Sequence, residues 1–188
     1  MNFKPLSLAL AATLCIGSVH AQSLVINPST KSVSLGDTFT LQVEGKGFAT
    51  AVVGGGFGLS FDASVLKLNS VSIPAAWEFY PPTGPVTGTI DNVAGTLSDA
   101  AFTTFASPKA GDFLAATLSF TAVGGGSSTV RLSASPTFVF SDVDVNTLSP
   151  SYGSATINVS AVPEPDSLAL MLAGAGALGW VARRKQQG

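Results

Sequence analysis

Two side chains that carry much enzyme chemistry are almost missing from this sequence. Its 188 residues include one cysteine and one histidine, and both, Cys15 and His20, lie within the first 21 residues. The rest of the chain therefore cannot form a disulfide, a Cys-His nucleophile, a Ser-His-Asp triad or a metal site that needs imidazole or thiolate. Carboxylate chemistry, a hydroxyl nucleophile with a lysine base, or no catalysis at all remain open.

Basic charge is also scarce in the main part of the chain. Residues 22–160 contain five Lys and Arg residues against nine Asp and Glu residues, which gives a net charge of −4. A nucleic-acid partner would require a basic stripe with aromatic residues between the cations. No such stripe is present, so the sequence predicts no nucleic-acid partner.

The third absence is helical periodicity, because residues 22–160 show no capped apolar stripe with a 3.6-residue period. Apolar and polar residues instead alternate in Thr38–Gly45 and Ala116–Val123, and again in 128–135 and 154–160. This pattern predicts a single all-β domain of about nine strands, an antiparallel β-sandwich or jelly roll. Turns or loops are expected at Gly36-Asp37, Gly45–Gly47, Pro81-Pro82, Gly124–Gly126 and Pro150.

The first 21 residues resemble a secretory signal peptide. Lys4 precedes an apolar run, and the segment ends in Val19-His20-Ala21, which predicts cleavage by signal peptidase after Ala21. A buried N-terminal helix is the alternative. The run has no polar face and strand-like sequence follows it at once, which favours the signal.

The last 28 residues contain a second apolar run. A helix over about 167–182 would hold fifteen apolar or small residues from Leu168 to Ala182, about 22 Å long against about 30 Å of membrane hydrocarbon. Arg183, Arg184 and Lys185 follow and would stay in the cytoplasm. Before the run, two prolines in Pro163-Glu164-Pro165 keep the backbone extended and readable by a processing enzyme.

This order of a Pro-Glu-Pro motif, a short apolar helix and a basic cluster resembles the PEP-CTERM sorting signal. The resemblance implies that Pro163, Glu164 and Pro165 are recognised by exosortase and that the chain crosses the inner membrane only transiently. It also implies a Gram-negative host that makes exopolysaccharide, with the processed protein secreted to the cell surface or extracellular matrix. An ordinary single-span tail anchor is the alternative.

The segment between these signals resembles the cohesin family. The similar segments are the Gly36-Asp37 entry to a long strand, Phe57–Leu68 (FGLSFDASVLKL) and Phe138–Ser160, with its Asp-Val-Asp turn before a Gly-x-x-x-Ile-x-Val strand. The resemblance implies a nine-stranded jelly roll over 22–160, related to carbohydrate-binding modules. In cellulosomal cohesins one sheet face binds a dockerin. Just before the second segment, Gly54–Gly56 predicts a bulge or a close approach by another backbone or a partner.

Three groups of residues are candidate sites. Asp142, Asp144 and Asn146 have the spacing that opens an EF-hand loop, but Thr147 and Gly153 stand where its glycine and glutamate belong, so a polar turn is favoured over a calcium site. Trp77, Phe79 and Tyr80 either stack on a ligand or close the end of the sandwich. The carboxylates available to a glycosidase are Asp62, Glu78, Asp91, Asp99, Asp112, Asp142 and Asp144.

The sequence as a whole predicts a non-catalytic, exosortase-processed surface protein. Its ligand would be extracellular polysaccharide or a surface protein, and it would need no cofactor unless calcium binds the Asp-x-Asp-x-Asn turn. Two alternatives remain, a true cohesin with a dockerin-bearing partner and a membrane-tethered periplasmic carboxylate glycosidase.

Overall fold

A computed structural model describes residues 22–77 and 85–160, and this part of the chain is all β with no helix. It therefore has no helix long and apolar enough to cross a membrane. The helices expected in residues 1–21 and about 167–182 lie outside the described residues. The strands are β1 Ser23–Asn27, β2 Thr30–Ser34, β3 Thr38–Ser60, β4 Leu66–Ser72, β5 Thr89–Asp91, β6 Thr96–Thr103, β7 Lys109–Ala122, β8 Gly126–Ala134, β9 Phe140–Asp142, β10 Thr147–Leu148, β11 Ser151–Tyr152 and β12 Ser154–Ser160.

The 23-residue strand β3 belongs to both layers of the sandwich. Its first half pairs with β1 and β7, and its second half pairs with β6, β8 and β9. One layer therefore runs β11-β1-β3-β7-β4 and the other β5-β6-β3-β8-β12-β2. The described residues form twelve strands instead of the expected nine, and four of these, β5, β9, β10 and β11, are only two or three residues long.

One predicted turn is wrong, because Gly45–Gly47 lies inside β3. The register between β3 and β7 shifts between Gly45 and Phe48, and Gly47 has φ +65°. The N–H of Gly47 donates to the Asp112 carboxylate at 3.0 Å. The glycines therefore form a bulge that bends the strand, instead of a turn that ends it.

The predicted close approach at Gly54–Gly56 is present, and aromatic side chains lie against the strand there. A Cβ added at Gly55 would lie 2.6 Å from the ring of Phe140, and one added at Gly56 would lie 2.6 Å from Cβ of Phe138. Phe140 is buried. The absence of side chains at these positions lets Phe138 and Phe140 pack directly on β3.

The core lies between the layers and is built by the alternating residues. Phe120 of β7 stacks on Phe39 at 5.9 Å and meets Phe61 edge-on at 5.4 Å. The buried apolar residues of the described ranges fall between Leu24 and Val159. The chain turns after Phe61, where the carbonyl of Asp62 accepts from the N–H groups of Val65 and Leu66 at 3.1 and 2.9 Å.

The chain leaves the sandwich at the end of β12, which runs parallel to β2 and pairs Ser160 with Ser34. Ser160 ends β12 beside the first residues of β8, and we call this end the exit pole. At the other end, the distal pole, Thr103 of β6 pairs with Gly54 and Asp142 of β9 pairs with Val52.

Candidate functional site

A groove of about 300 Å³ opens near the distal pole on the layer β5-β6-β3-β8-β12-β2, which we call the second layer. Gly55 faces the core, since its missing Cβ would meet Phe140, so the neighbouring Gly54 faces the outer surface. The groove is lined by Gly54, Gly55, Val86, Ala101, Phe102, Thr103, Thr137, Phe138, Val139 and Ser141. It lies between β6 and the segment that joins β8 to β9.

That joining segment is held over β3 by Asp99. The Asp99 carboxylate accepts from the hydroxyls of Ser135 at 2.5 Å and Thr137 at 3.2 Å. The Ser135 oxygen accepts in turn from the N–H groups of Thr137 and Phe138 at 3.1 and 2.9 Å. Asp99 has φ +57°, a conformation that Asp tolerates better than most residues. The groove therefore has a fixed wall on this side.

Among the described residues, no Lys, Arg, Asp or Glu lines the groove. Among its polar side chains, Thr103 donates its hydroxyl to the carbonyl of Val53 at 3.1 Å. Val86 and Val139 are exposed on it, by 37% and 59%. The groove offers apolar contact and a few hydroxyls, which suits binding of an apolar or neutral surface rather than acid-base chemistry.

Phe138 and Val139 form a ridge between this groove and a second one of about 210 Å³. Leu148, Pro150 and Tyr152 line the second groove. Burial raises the pKa of the Tyr152 phenol above its usual value. The second groove is therefore also largely apolar.

Beyond the ridge, the turn between β9 and β10 is built on Asp142. One oxygen of its carboxylate accepts from the N–H groups of Asp144 at 3.0 Å and Asn146 at 2.8 Å. The other accepts from the Asn146 side-chain amide at 3.0 Å. These bonds, led by the one from the Asn146 side chain, lower the pKa of Asp142. The residues form the favoured polar turn, whereas calcium binding by Asp142, Asp144 and Asn146 stays a prediction.

The prediction that Trp77 stacks on a ligand is wrong, because its side chain is only 1% exposed. Its ring packs against Phe102 at 4.5 Å and Phe113 at 5.2 Å, and its Nε1 donates to the carbonyl of Leu114 at 2.8 Å. Trp77 closes the end of the sandwich, the alternative weighed above. Phe79 and Tyr80 lie outside the described residues, so their role stays a prediction.

Of the carboxylates proposed for glycoside hydrolysis, five accept hydrogen bonds within local structures, namely Asp62, Asp91, Asp99, Asp112 and Asp142. Asp62 accepts from the N–H and hydroxyl of Ser64, and Asp91 accepts from the N–H groups of Val93 and Ala94. These bonds lower the pKa of both groups. Asp99 and Asp142 hold the segments described above, and Glu78 lies outside the described residues. Within the described ranges, no three His, Cys, Asp or Glu residues gather where they could hold a metal ion.

One cluster of charges was missed from the sequence. The Lys46 ammonium lies 2.7 Å from Glu44 and 3.2 Å from Asp112. The hydrogen bond from Lys46 lowers the pKa of Glu44, and the bonds to both carboxylates raise the pKa of Lys46. Lys46 is therefore held protonated, which does not suit it as the base of a hydroxyl nucleophile. The alternation of β3 places Glu44 and Lys46 on one face. Nothing in the sequence indicates that Asp112 lies beside them.

The described part of the chain is thus a two-layer all-β fold with a groove whose one wall is held by Asp99. The cohesin domain family matches residues 24–159, and the chain belongs to this family. The PEP-CTERM protein-sorting motif matches residues 161–185. The predicted motif at Pro163-Glu164-Pro165 and the basic cluster Arg183-Arg184-Lys185 fall inside that match, which indicates export and a surface or extracellular location. Cleavage after Ala21 stays a prediction.

Solved structures with the same fold are also cohesins. A cohesin from Clostridium acetobutylicum, CaCohA2, is 20% identical and covers 76% of this chain and 94% of its own, with a TM-score of 0.60. A type I cohesin–dockerin complex from Clostridium thermocellum is 14% identical, covers 74% and 99%, and has a TM-score of 0.60. A non-cellulosomal cohesin from Archaeoglobus fulgidus is 13% identical and covers 74% and 91%, with a TM-score of 0.58. No curated protein matches the chain.

Proposed function

We propose that this protein is a non-catalytic binding module that exosortase releases to the cell surface or extracellular matrix. The sorting motif at 161–185 supports the route, and the cohesin fold supports the binding role. The domain acts outside the inner membrane, and its ligand is a protein bound on the outer face of the second layer.

The groove beside Gly54 carries this proposal. It combines exposed Val86 and Val139 with a rigid wall anchored by Asp99, and the described residues that line it carry no charge. Apolar surface that stays exposed around a preformed depression is typical of a protein-binding site. Trp77 is buried and so offers sugars no exposed aromatic platform, which removes one argument for a polysaccharide ligand.

A dockerin-bearing protein is the partner that the family suggests. One similar structure contains a dockerin bound to a type I cohesin, and that partner comes to this chain as part of the proposal. Extracellular polysaccharide remains the second candidate, because the carboxy-terminal signal resembles those of exopolysaccharide producers and because Phe79 and Tyr80 adjoin the domain's buried aromatic cluster in sequence.

Affinity capture from the host's secreted fraction tests the proposal. Residues 22–160 serve as bait, with Val139→Asp as the groove variant and Val93→Asp as the matched control, because Val93 is 94% exposed and does not line the groove. We expect one partner, identified by mass spectrometry, to bind the wild type and the Val93 variant but not the Val139 variant. Binding of purified exopolysaccharide that is lost in the same way would replace the protein ligand, and no variant-dependent binding would refute the groove.

A further inference from the structure

A recess of different chemistry lies on the layer β11-β1-β3-β7-β4, which we call the first layer. Leu41 and Val43 of β3 are fully buried in the core, so Gln42 and Glu44 between and after them point to the outer surface of this layer. The recess measures about 260 Å³ and is lined by Gln42, Glu44, Lys46, Asp112, Phe113 and Leu114. We call it the polar recess, because it combines charged and amide side chains with apolar ones.

The charged side chains of the polar recess are held in place before any ligand binds. The Lys46 ammonium lies 2.7 Å from Glu44 and 3.2 Å from Asp112. The Asn27 amide donates to the other carboxylate oxygen of Glu44 at 3.0 Å, and the N–H of Gly47 donates to Asp112 at 3.0 Å. A site whose groups are already oriented loses little conformational entropy on binding.

The polar recess also keeps hydrogen-bonding capacity that the described residues do not use. The Lys46 ammonium has a donor beyond those accepted by Glu44 and Asp112. The Glu44 carboxylate has acceptor positions beyond those taken by Asn27 and Lys46. The Gln42 amide, which supplies both donors and an acceptor, has no partner within residues 22–77 and 85–160. Donors and acceptors therefore lie side by side in the recess.

The charges of the polar recess favour a neutral ligand. One lysine and two carboxylates give its described lining a net charge of −1, which repels anions. The Lys46 ammonium already occupies the position between the carboxylates that a metal cation would need. A hydroxyl group both donates and accepts, so it can donate to Glu44 and accept from Lys46 or Gln42. A sugar ring matches these groups with its neighbouring hydroxyls and offers an apolar face to Leu114.

The polar recess lies at the end of a row of hydroxyl groups on the same outer face. The row follows Gln42 along β3 and β7, in the facing pairs Thr40–Ser119 and Thr38–Thr121. These four side chains are exposed or half-buried, and none is charged. A neutral row that continues beyond the recess suits the successive rings of a sugar chain better than a single small solute.

We propose that the polar recess binds a neutral polysaccharide, with one sugar ring beside Lys46 and the following rings along the hydroxyl row of β3 and β7. The recess and the groove lie on different layers, so the domain can bind a protein and a polysaccharide at the same time. The inference adds a second site to the proposed function and does not depend on the groove.

Affinity electrophoresis of the full chain tests the inference, because it detects weak binding as retardation in a native gel that contains a polysaccharide. The neutral probes are hydroxyethylcellulose, galactomannan and dextran, and the anionic probe is polygalacturonate. We expect at least one neutral probe to retard the wild type, whereas polygalacturonate should not. Each mobility is divided by the mobility of the same protein in a gel without polysaccharide, which removes the effect of a changed protein charge.

Two variants locate the site. Gln42→Ala removes the amide and leaves the ion pairs of Lys46 in place, whereas Lys46→Met removes the ammonium. Each should weaken binding about fivefold or more. Asn158→Ala and Lys109→Met are the matched controls and should bind as the wild type does, because Asn158 is exposed on β12 of the second layer and Lys109 does not line the recess. The groove variant Val139→Asp should also bind as the wild type does.

The outcomes separate the two sites. If no neutral probe retards the wild type, the inference is overturned and the proposed function is unaffected. Equal retardation of Gln42→Ala and the wild type would place the polysaccharide elsewhere, and loss of retardation in Val139→Asp would place it in the groove. Equal retardation by polygalacturonate would contradict the selection by charge. Loss of a captured protein in Gln42→Ala, without retardation by a neutral probe, would make the recess a protein-binding site instead.

Discussion

The side-chain amide of Asn92 hydrogen-bonds both backbone groups of Leu68. Its Oδ1 accepts from the Leu68 N–H at 2.8 Å, and its Nδ2 donates to the Leu68 carbonyl at 3.0 Å. Leu68 belongs to β4, which among the described strands pairs with β7 alone, and Asn92 follows β5 of the other layer. One amide therefore occupies part of an open sheet edge and joins the two layers.

Replacing Asn92 with alanine should lower the free energy of unfolding by about 1–3 kcal/mol, because it leaves two partly buried backbone groups without partners. Asn69→Ala is the control, since Asn69 is exposed and donates one bond to the Thr121 hydroxyl. Urea denaturation measures both. Asn92→Asp should also destabilise, because a carboxylate would face the Leu68 carbonyl, and equal stability of all four proteins would contradict the role of this amide.

Adding a methyl group at Gly55 should destabilise the domain by about 1–3 kcal/mol through overpacking. The new Cβ would lie 2.6 Å from the Phe140 ring, which is fixed between Phe48 and Phe102. Gly125→Ala is the matched control, since its Cβ would meet only the Val159 carbonyl, at 3.9 Å. Thermal unfolding followed by circular dichroism distinguishes the two, and equal melting temperatures would mean that the ring moves freely.

Val145→Asn should stabilise the isolated domain by about 1 kcal/mol, because Val145 has φ +64° and Asn adopts left-handed φ more readily than a β-branched residue. The measurement is chemical denaturation, with Val93→Asn as the control for replacing an exposed valine. A loss of stability in Val145→Asn alone would indicate that the Val145 side chain packs within its own chain and is therefore not available to contact a partner.

Stability should fall in acid partly through Glu44. The bonds from Lys46 and Asn27 lower the pKa of this carboxyl in the folded state below its ordinary value of 4.5. A group with a lowered folded pKa stabilises the fold fully above the ordinary value, and this contribution is lost as pH falls through the folded value. Glu44→Gln should therefore flatten the acid limb of a plot of unfolding free energy against pH.

The flattening should be partial. Hydrogen bonds also lower the pKa values of Asp62, Asp91 and Asp142, so these groups favour the fold over the same acidic range. Lys46→Met should flatten the limb as Glu44→Gln does, because Lys46 is the main cause of the Glu44 shift. An acid limb identical to the wild type in both variants would contradict the assignment.

Glu164→Ala should block processing of the carboxy terminus in the host. Intact mass spectrometry of protein from the envelope and the medium should show that the wild type ends near Pro163-Glu164-Pro165, whereas the variant keeps Leu168–Gly188. Intact tails on both proteins in the inner membrane would instead favour a permanent anchor.

Local patterns predicted much of the fold. Alternation identified the strands around Phe39, Leu118 and Ile157, and all three side chains are buried. The glycine run at 54–56 indicated a close approach, and the Asp-x-Asp-x-Asn spacing indicated a polar turn. These features depend on neighbours within a few residues, which is the range that a sequence pattern reports.

The rest depends on contacts that are distant in sequence. Trp77 looked like a loop residue but is buried because Phe102 and Phe113 converge on it and the Leu114 carbonyl accepts its N–H. Gly45–Gly47 looked like a turn because glycine permits both a turn and a bulge, and only the pairing of β3 with β7 decides between them. The groove was missed because its two walls are distant in sequence: Thr103 ends β6, and Thr137 lies in the segment that joins β8 to β9.

The parallel pairing of β2 and β12 has a mechanical consequence for a domain at a cell surface. β12 is hydrogen-bonded to β2 on one side and to β8 on the other, up to residues 159 and 160. If the chain is pulled at Ser160 while the distal pole is held by a partner, the load runs along these strands. The bonds on both sides of β12 then resist in shear and must break together, whereas a strand peeled from one end would give way bond by bond.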